Sequence, residues 1–230
     1  MNNLIQESIF FGMAVSLLGY EIGLLIKKKL KKAIFNPLLT SVVLIIIFLL
    51  VFDVDYEMYN SGAKYLSYLL TPATVCLAVP LYQQLHMLKK NVKAVVGGIL
   101  GGVITSLTSV LVLSKLFGLN HQQYVTMLPK SITTAIGIGI AEEMNGLVTI
   151  TVASIVITGI IGNMMAEAVC KIFRITEPVA KGIAIGTSAH AMGTAKALEM
   201  GEIEGAMSSL AIAVAGLLTV IMASFYANLM

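Results

Sequence analysis

Long apolar runs separated by short polar clusters extend through the whole chain. Four of them, about 4–26, 34–52, 65–88 and 94–116, are long enough for spanning helices, which need roughly 20 mainly apolar residues. Two more, 146–170 and 205–229, complete the clear spans. Between these lie two less apolar stretches, about 124–145 and 179–200, each holding a lysine, a glutamate and several hydroxyls. Each either crosses the bilayer, giving eight spans in all, or folds back as a re-entrant hairpin, giving six.

The charges between the runs bear on that choice. Lys27-Lys28-Lys29-Leu30-Lys31-Lys32 is the densest cluster and, by the positive-inside rule, marks a cytoplasmic loop. The N-terminus is then outside, as is the acidic loop Asp53-Val54-Asp55-Tyr56-Glu57, while Lys89, Lys90 and Lys93 return to the cytoplasm. Re-entry at both stretches puts Lys171, Arg174 and Lys181 there too. Eleven of the 15 basic residues then sit in cytoplasmic loops, against eight for full spans. The count favours six spans with re-entrant hairpins, although about 20 residues leave only some 15 Å for each half-helix. Both arrangements put the C-terminus outside.

Composition agrees. The chain is 57% hydrophobic and 12% charged, whereas a soluble domain carries about 25% charged residues. Too few charges exist to coat a water-facing surface, so lipid must cover much of it. The expected fold is all-α: a polytopic helical membrane protein of six to eight transmembrane segments with broken or re-entrant helices. Residues 1–230 form one integral membrane domain, with four spans in 1–116 and a repeat-containing half in 124–229. The first run lacks a basic leader and a small-residue cleavage site, so it is expected to be a retained span. A net charge of +3 is too small and too tied to loops to suggest nucleic acid. Cys76 and Cys170 give neither a disulfide framework nor metal-ligand spacing. No nucleotide loop, zinc motif or nucleophile triad is visible, so neither an enzyme nor a cofactor or metal is expected.

The two irregular stretches resemble each other. Ala135-Ile136-Gly137 aligns with Ala191-Met192-Gly193, and the same offset matches Ala141 with Ala197, Glu143 with Glu199 and Met144 with Met200. As re-entrant units they would enter from opposite faces. That is the inverted-repeat arrangement of many secondary transporters, whose site lies where broken helices meet at mid-membrane.

Three places combine a helix breaker with hydroxyls: Thr71-Pro72-Ala73-Thr74 with Pro80, Pro129-Lys130-Ser131-Ile132-Thr133-Thr134, and Gly186-Thr187-Ser188-Ala189-His190-Ala191-Met192-Gly193-Thr194. Backbone groups freed by such breaks need protein or water partners, so the breaks are expected to line a cavity. Half-helix N-termini with nearby hydroxyls suit a carboxylate. Lys130 and Lys196 are costly at mid-depth, by roughly 2.5–3.5 kcal/mol each. One or both draw in a small carboxylate anion, or else snorkel to the interface or pair with a nearby glutamate. Candidate binding residues are thus Thr71, Pro72, Thr74, Pro129, Lys130, Ser131, Thr133, Thr134, Gly137, Ser188, His190, Gly193, Thr194 and Lys196. His190, Glu143 and Glu199 are candidates for proton coupling. Gly97, Gly98, Gly101 and Gly102 form two overlapping G-x-x-x-G pairs, a packing signal. Self-association into a homo-oligomer is left open.

Leu70-Thr71-Pro72-Ala73-Thr74-Val75, Ala78-Val79-Pro80-Leu81-Tyr82, Leu128-Pro129-Lys130-Ser131 and Gly186 to Ala195 together resemble the signatures of the LrgB/CidB family, over essentially the whole chain. Thr71 stands where that family usually has glycine. The resemblance implies a multi-pass protein of the bacterial plasma membrane, working with a smaller LrgA/CidA-type membrane partner. Bacterial members are described as antiholin-like or holin-like regulators of murein hydrolase activity and cytolysis. A plant relative is a plastid glycolate/glycerate translocator, and bacterial pairs have been linked to pyruvate movement. The resemblance therefore implies either a monocarboxylate transporter component or an antiholin-like regulator with no transport of its own.

Overall fold

The computed structural model describes residues 10–30, 35–76 and 78–230, without the side chains of Leu70, Thr71, Thr74, Leu81, Leu85 and Leu88. The described secondary structure is helical throughout. The chain divides into two compact units, Met1–Cys76 and Leu77–Met230.

In the first unit, α1 (Phe11–Leu30) packs on α2 (Pro37–Val51) and α3 (Tyr56–Ser67). Asn36 caps α2: its side chain accepts from the backbone N–H of Leu38 at 2.9 Å, and Pro37 follows in the first turn, where a missing N–H costs nothing. Glycines on α1 let these helices touch. Gly19 meets Ile45, and Gly23 meets the backbone of Pro37. The unit ends in the short α4 (Leu70–Cys76).

The apolar run expected as a third span, 65–88, is not one helix. It is divided among the end of α3, α4, α5 (Ala78–Gln83) and α6 (Leu85–Lys90). Pro72 falls at the third residue of α4. A proline is tolerated in a first turn but not in a helix interior, so Pro72 marks a restart after the turn at Tyr68 and Leu69.

The second unit is built on three helices long and apolar enough to cross a membrane: α7 (Val92–Leu116), α10 (Val148–Ile172) and α12 (Glu202–Ala227). Their outer faces carry exposed Ile104, Ile157, Ile161, Leu217 and Ile221, as a lipid-facing surface requires. The inner core joins Ile99, Val103 and Leu107 of α7 with Met207, Ala211 and Ala215 of α12. Although α7 follows directly on the earlier apolar runs, it belongs to this unit.

The two irregular stretches both fold back on themselves. In the first, α8 (His121–Met127) leads into a turn at 128–133 and α9 (Thr134–Glu143) returns. Its two ends lie side by side: Leu147 N–H donates to Thr126 Oγ1 at 2.8 Å, and Gln122 Nε2 to the Asn145 carbonyl at 3.2 Å. In the second, α11 (Pro178–Met200) breaks at Ala189 and His190. Gly182 and Gly186 on its outer arm abut Met207 and Ala211, so this arm runs parallel to α12. On the return arm Leu198 abuts Gly205, and Thr194 meets Ser208, so that arm runs antiparallel to α12. Ile185 and Gly193, about 12 Å apart in a straight helix, are in contact.

These hairpins enter from opposite ends of α10. The base of the first is tied to its start, where Thr151 Oγ1 donates to the Thr126 carbonyl at 2.9 Å. The base of the second is tied near its end, where Lys196 pairs with Glu167. Both tips reach Ile155: its side chain packs on Gly137, and its carbonyl bonds His190 Nε2 at 2.9 Å. The internal repeat is visible as one packing device used twice. Gly137 approaches Pro129 in the first hairpin, and their repeat-mates Gly193 and Ile185 approach each other in the second.

Candidate functional site

The start of α7 and the base of the second hairpin lie at one end of the unit, since Gly98 faces Ile183 and Gly102 faces Thr187. Lys89, Lys90 and Lys93 therefore share an end with Lys171, Arg174 and Lys181. The opposite end holds the base of the first hairpin and the C-terminus, joined by His121 Nδ1 to the Met230 carbonyl at 2.7 Å.

From the basic end a cavity of about 820 Å³ runs along α7 to the hairpin tips. Lys90, Asn91 and Glu177 line its mouth, and Lys130, Ser131, Thr187 and Ser188 lie at its depth. One wall is a single face of α7, where Ala94, Gly98, Gly101 and Thr105 recur at helical spacing. Thr105, Ser106 and Ser109 make this wall polar as it nears Lys130.

Lys130 is half-buried at the tip of the first hairpin. Its ammonium donates to Ser131 Oγ at 3.0 Å, and among the described residues no carboxylate pairs with it. An ammonium has three donors, so two find no acceptor in the described protein. Ser106 Oγ also donates to Ser131 Oγ, at 3.0 Å. Both Ser131 lone pairs are thereby occupied, which leaves its own O–H to donate. Thr187, at the repeat position matching Ser131, faces the same cavity from the other tip. Its hydroxyl donates to the Ile183 carbonyl at 2.8 Å and keeps acceptor capacity. The result is a fixed cation with hydroxyls from three elements around it.

The other sequence candidates are placed differently. Pro129 is buried behind Lys130, against Gly137. Thr133 and Thr134 open α9 but do not line the cavity. Gly137 and Gly193 are the close-contact points within the hairpins. His190 is buried, with its ring on the Ile155 carbonyl and against Gly159. Its φ of 41° lies in a region that favours glycine, a strain of about 1–3 kcal/mol. Thr194 is fully buried, donating to the His190 carbonyl at 3.0 Å and meeting Ser208 Oγ at 2.7 Å. Lys196 pairs with Glu167, and with Glu199 at 3.1 Å. Glu143 is exposed at the base of the first hairpin. Pro72 is exposed in the first unit, and the side chains of Thr71 and Thr74 lie outside the described residues.

The cavity also departs from the expected cradle of half-helix N-termini. The second hairpin contributes Thr187 and Ser188, the last residues of its outer arm, rather than the start of its return arm. Thr105, Ser106 and Ser109 line the cavity although the sequence motifs did not single them out, while Thr187 belongs to the third hydroxyl-bearing break. The signal for the three on α7 was a hydroxyl stripe at helical spacing just beyond its glycines.

Comparison with known proteins is consistent over nearly the whole chain. Residues 16–229 match the model of the LrgB-like family. Three similar proteins are named antiholin-like protein LrgB, from Bacillus mycoides (strain KBAB4), Bacillus cereus (strain B4264) and Bacillus anthracis (strain CDC 684 / NRRL 3495). Each is 40% identical over 213 residues, covering 92% of this chain and 93% of the relative. No solved structure matches the chain. With the signature segments Leu128–Ser131 and Gly186–Ala195 at the tips of the two opposed hairpins, and with the match running over residues 16–229, the chain belongs to the LrgB-like family.

Proposed function

We propose that the second unit is the substrate-carrying part of a transporter for small monocarboxylate anions, such as pyruvate or glycolate. The observation that carries this reading is Lys130: a half-buried cation at the floor of a cavity, lacking a carboxylate among the described residues and flanked by hydroxyls. A buried charge without a counter-ion is costly, and a carboxylate supplies what is missing. Its two oxygens would take the free ammonium donors and the Ser131 O–H. One uncompensated charge suits a monoanion. The substrate-binding set is Lys130, Ser131, Ser106, Thr187 and Ser188. Pro129, Gly137, His190, Gly193 and Thr194 hold the hairpin tips in place. The protein sits in the bacterial plasma membrane with its basic loops in the cytoplasm and both termini outside, so the cavity opens inward. A smaller LrgA/CidA-type protein acts with it.

Reconstitution in liposomes, with and without that partner, tests the reading by uptake of labelled pyruvate and glycolate. Uptake that is lost in Lys130→Met supports it. No uptake above empty vesicles for several monocarboxylates refutes it.

The antiholin-like name of the relatives favours a second reading, a regulator acting through helix association. Gly97 separates the two. A Cβ there meets nothing within 4 Å, and Gly97 does not line the cavity. Regulation through this helix face requires Gly97→Leu to abolish function and Lys130→Met to be tolerated; the carrier reading requires the reverse.

A further inference from the structure

Lys130 is alone in charge at the cavity floor. The other charged groups lining the cavity, Lys90 and Glu177, are at its mouth. On α7, Lys93 lies at the mouth end and Lys115 at the far end. On α6, His86 and Lys89 also belong to the mouth end. On α9, Glu142 and Glu143 are exposed at the hairpin base. On α10 and α11, Glu167 and Glu199 are engaged with Lys196, and Lys181 lies 3.7 Å from Glu204 of α12. His190 is bound to the Ile155 carbonyl, while Tyr124 and Tyr226 are joined to each other near the C-terminal end. Among the described residues of this unit, no other titratable group stands where it can neutralise Lys130.

This isolation restricts how a carrier can turn over. With an anion bound, the site is neutral and can be closed off from water. Empty, it holds a bare ammonium, whose desolvation opposes the same closure. The obstacle disappears when the lysine gives up its proton, which lysine does when buried and arginine does not.

Resting on the carrier reading above, we propose that Lys130 also couples transport to a proton, moving one monocarboxylate and one proton together in each cycle. On the loading side the neutral amine takes a proton from water at the cavity, forming an N–H bond, and the resulting ammonium receives the carboxylate. On the releasing side the carboxylate leaves, the ammonium N–H bond breaks, and the proton passes to water. The empty site then returns uncharged. The sum is one anion and one proton carried in the same direction, with no net charge moved.

The test uses the full-length protein in liposomes under the conditions of the uptake assay above, with labelled pyruvate and protein-free vesicles as blank. A gradient of one pH unit, alkaline inside, should raise protein-dependent accumulation by up to about tenfold, because each anion brings one proton. A potassium–valinomycin potential should leave accumulation unchanged. Lys130→Arg keeps a permanent cation, so it should exchange labelled for unlabelled pyruvate yet lose net uptake. Accumulation by the wild-type protein that follows the potential instead of the pH gradient overturns the proposal, whatever the variant does. Net uptake by Lys130→Arg at the wild-type rate also overturns it. Absence of both exchange and uptake in the wild-type protein is a different result, which removes the carrier reading itself.

Discussion

Gly102 and Gly101 are neighbours on α7 with opposite surroundings, and alanine at each gives an internally controlled test of hairpin packing. A Cβ at Gly102 would lie 2.6 Å from Thr187 Oγ1 and 2.8 Å from Thr187 Cβ, whereas one at Gly101 meets nothing within 4 Å. The first contact is about 0.8 Å short of ordinary van der Waals separation, on the steep part of the potential. Thr187 cannot easily yield, since its hydroxyl is tied to the Ile183 carbonyl and Gly186 of the same arm is pressed on Ala211. Overpacking of this kind costs about 1–3 kcal/mol. Both variants gain the same helix propensity, about 0.8–1.0 kcal/mol for Gly→Ala, so it cancels between them. Gly101→Ala should thus equal or exceed the wild type in stability, with Gly102→Ala about 1–3 kcal/mol below it. Thermal unfolding in one detergent, read by circular dichroism, gives the comparison. Equal melting temperatures would refute the seating of Thr187 against α7, and with it the placement of the second hairpin tip in the cavity.

Three further outcomes follow from the same contacts. Thr194→Val removes a partner of the fully buried Ser208 and should cost about 1–3 kcal/mol; adding Ser208→Ala should recover part of that loss in the same unfolding assay. Lys196→Met breaks pairs with exposed glutamates, worth about 0–1 kcal/mol, and should leave pyruvate uptake near wild type while Lys130→Met abolishes it. Cysteines at Arg174 and Gly118 should react with membrane-impermeant maleimide from opposite sides in oriented vesicles. Labelling of both from one side would contradict the two-hairpin topology.

The sequence made the hairpins legible through charge and repetition. Fold-back at 124–145 and 179–200 was favoured because it gathers Lys171, Arg174 and Lys181 with Lys89, Lys90 and Lys93, and the structure places these groups at one end. The alignment of Gly137 with Gly193 had a physical cause, since each is where a return arm presses on an outer arm. Other features needed coordinates. Hydropathy cannot separate Gly98 and Gly102, which seat the second hairpin, from Gly97 and Gly101, which do not. It cannot show that run 65–88 restarts at Pro72 rather than kinking through it. Nor can it distinguish Lys130 from Lys196, because the carboxylate answering Lys196 comes from Glu167 on another helix as well as from Glu199 nearby.

The repeat also explains why the cavity floor holds one lysine. Ser131 and Thr187 are repeat-mates, and both present hydroxyls at the meeting of the tips. The repeat-mate of Lys130 is Gly186, which is pressed against Ser208 and Ala211 of α12. No side chain fits there, so the second hairpin cannot carry a matching cation while it packs on α12. A symmetric pair of lysines would suit a dianion and would leave two charges to bury in the empty site. With glycine at the second position, the paired hairpins keep the symmetric hydroxyls but only one ammonium, which on the carrier reading a single negative charge would complete.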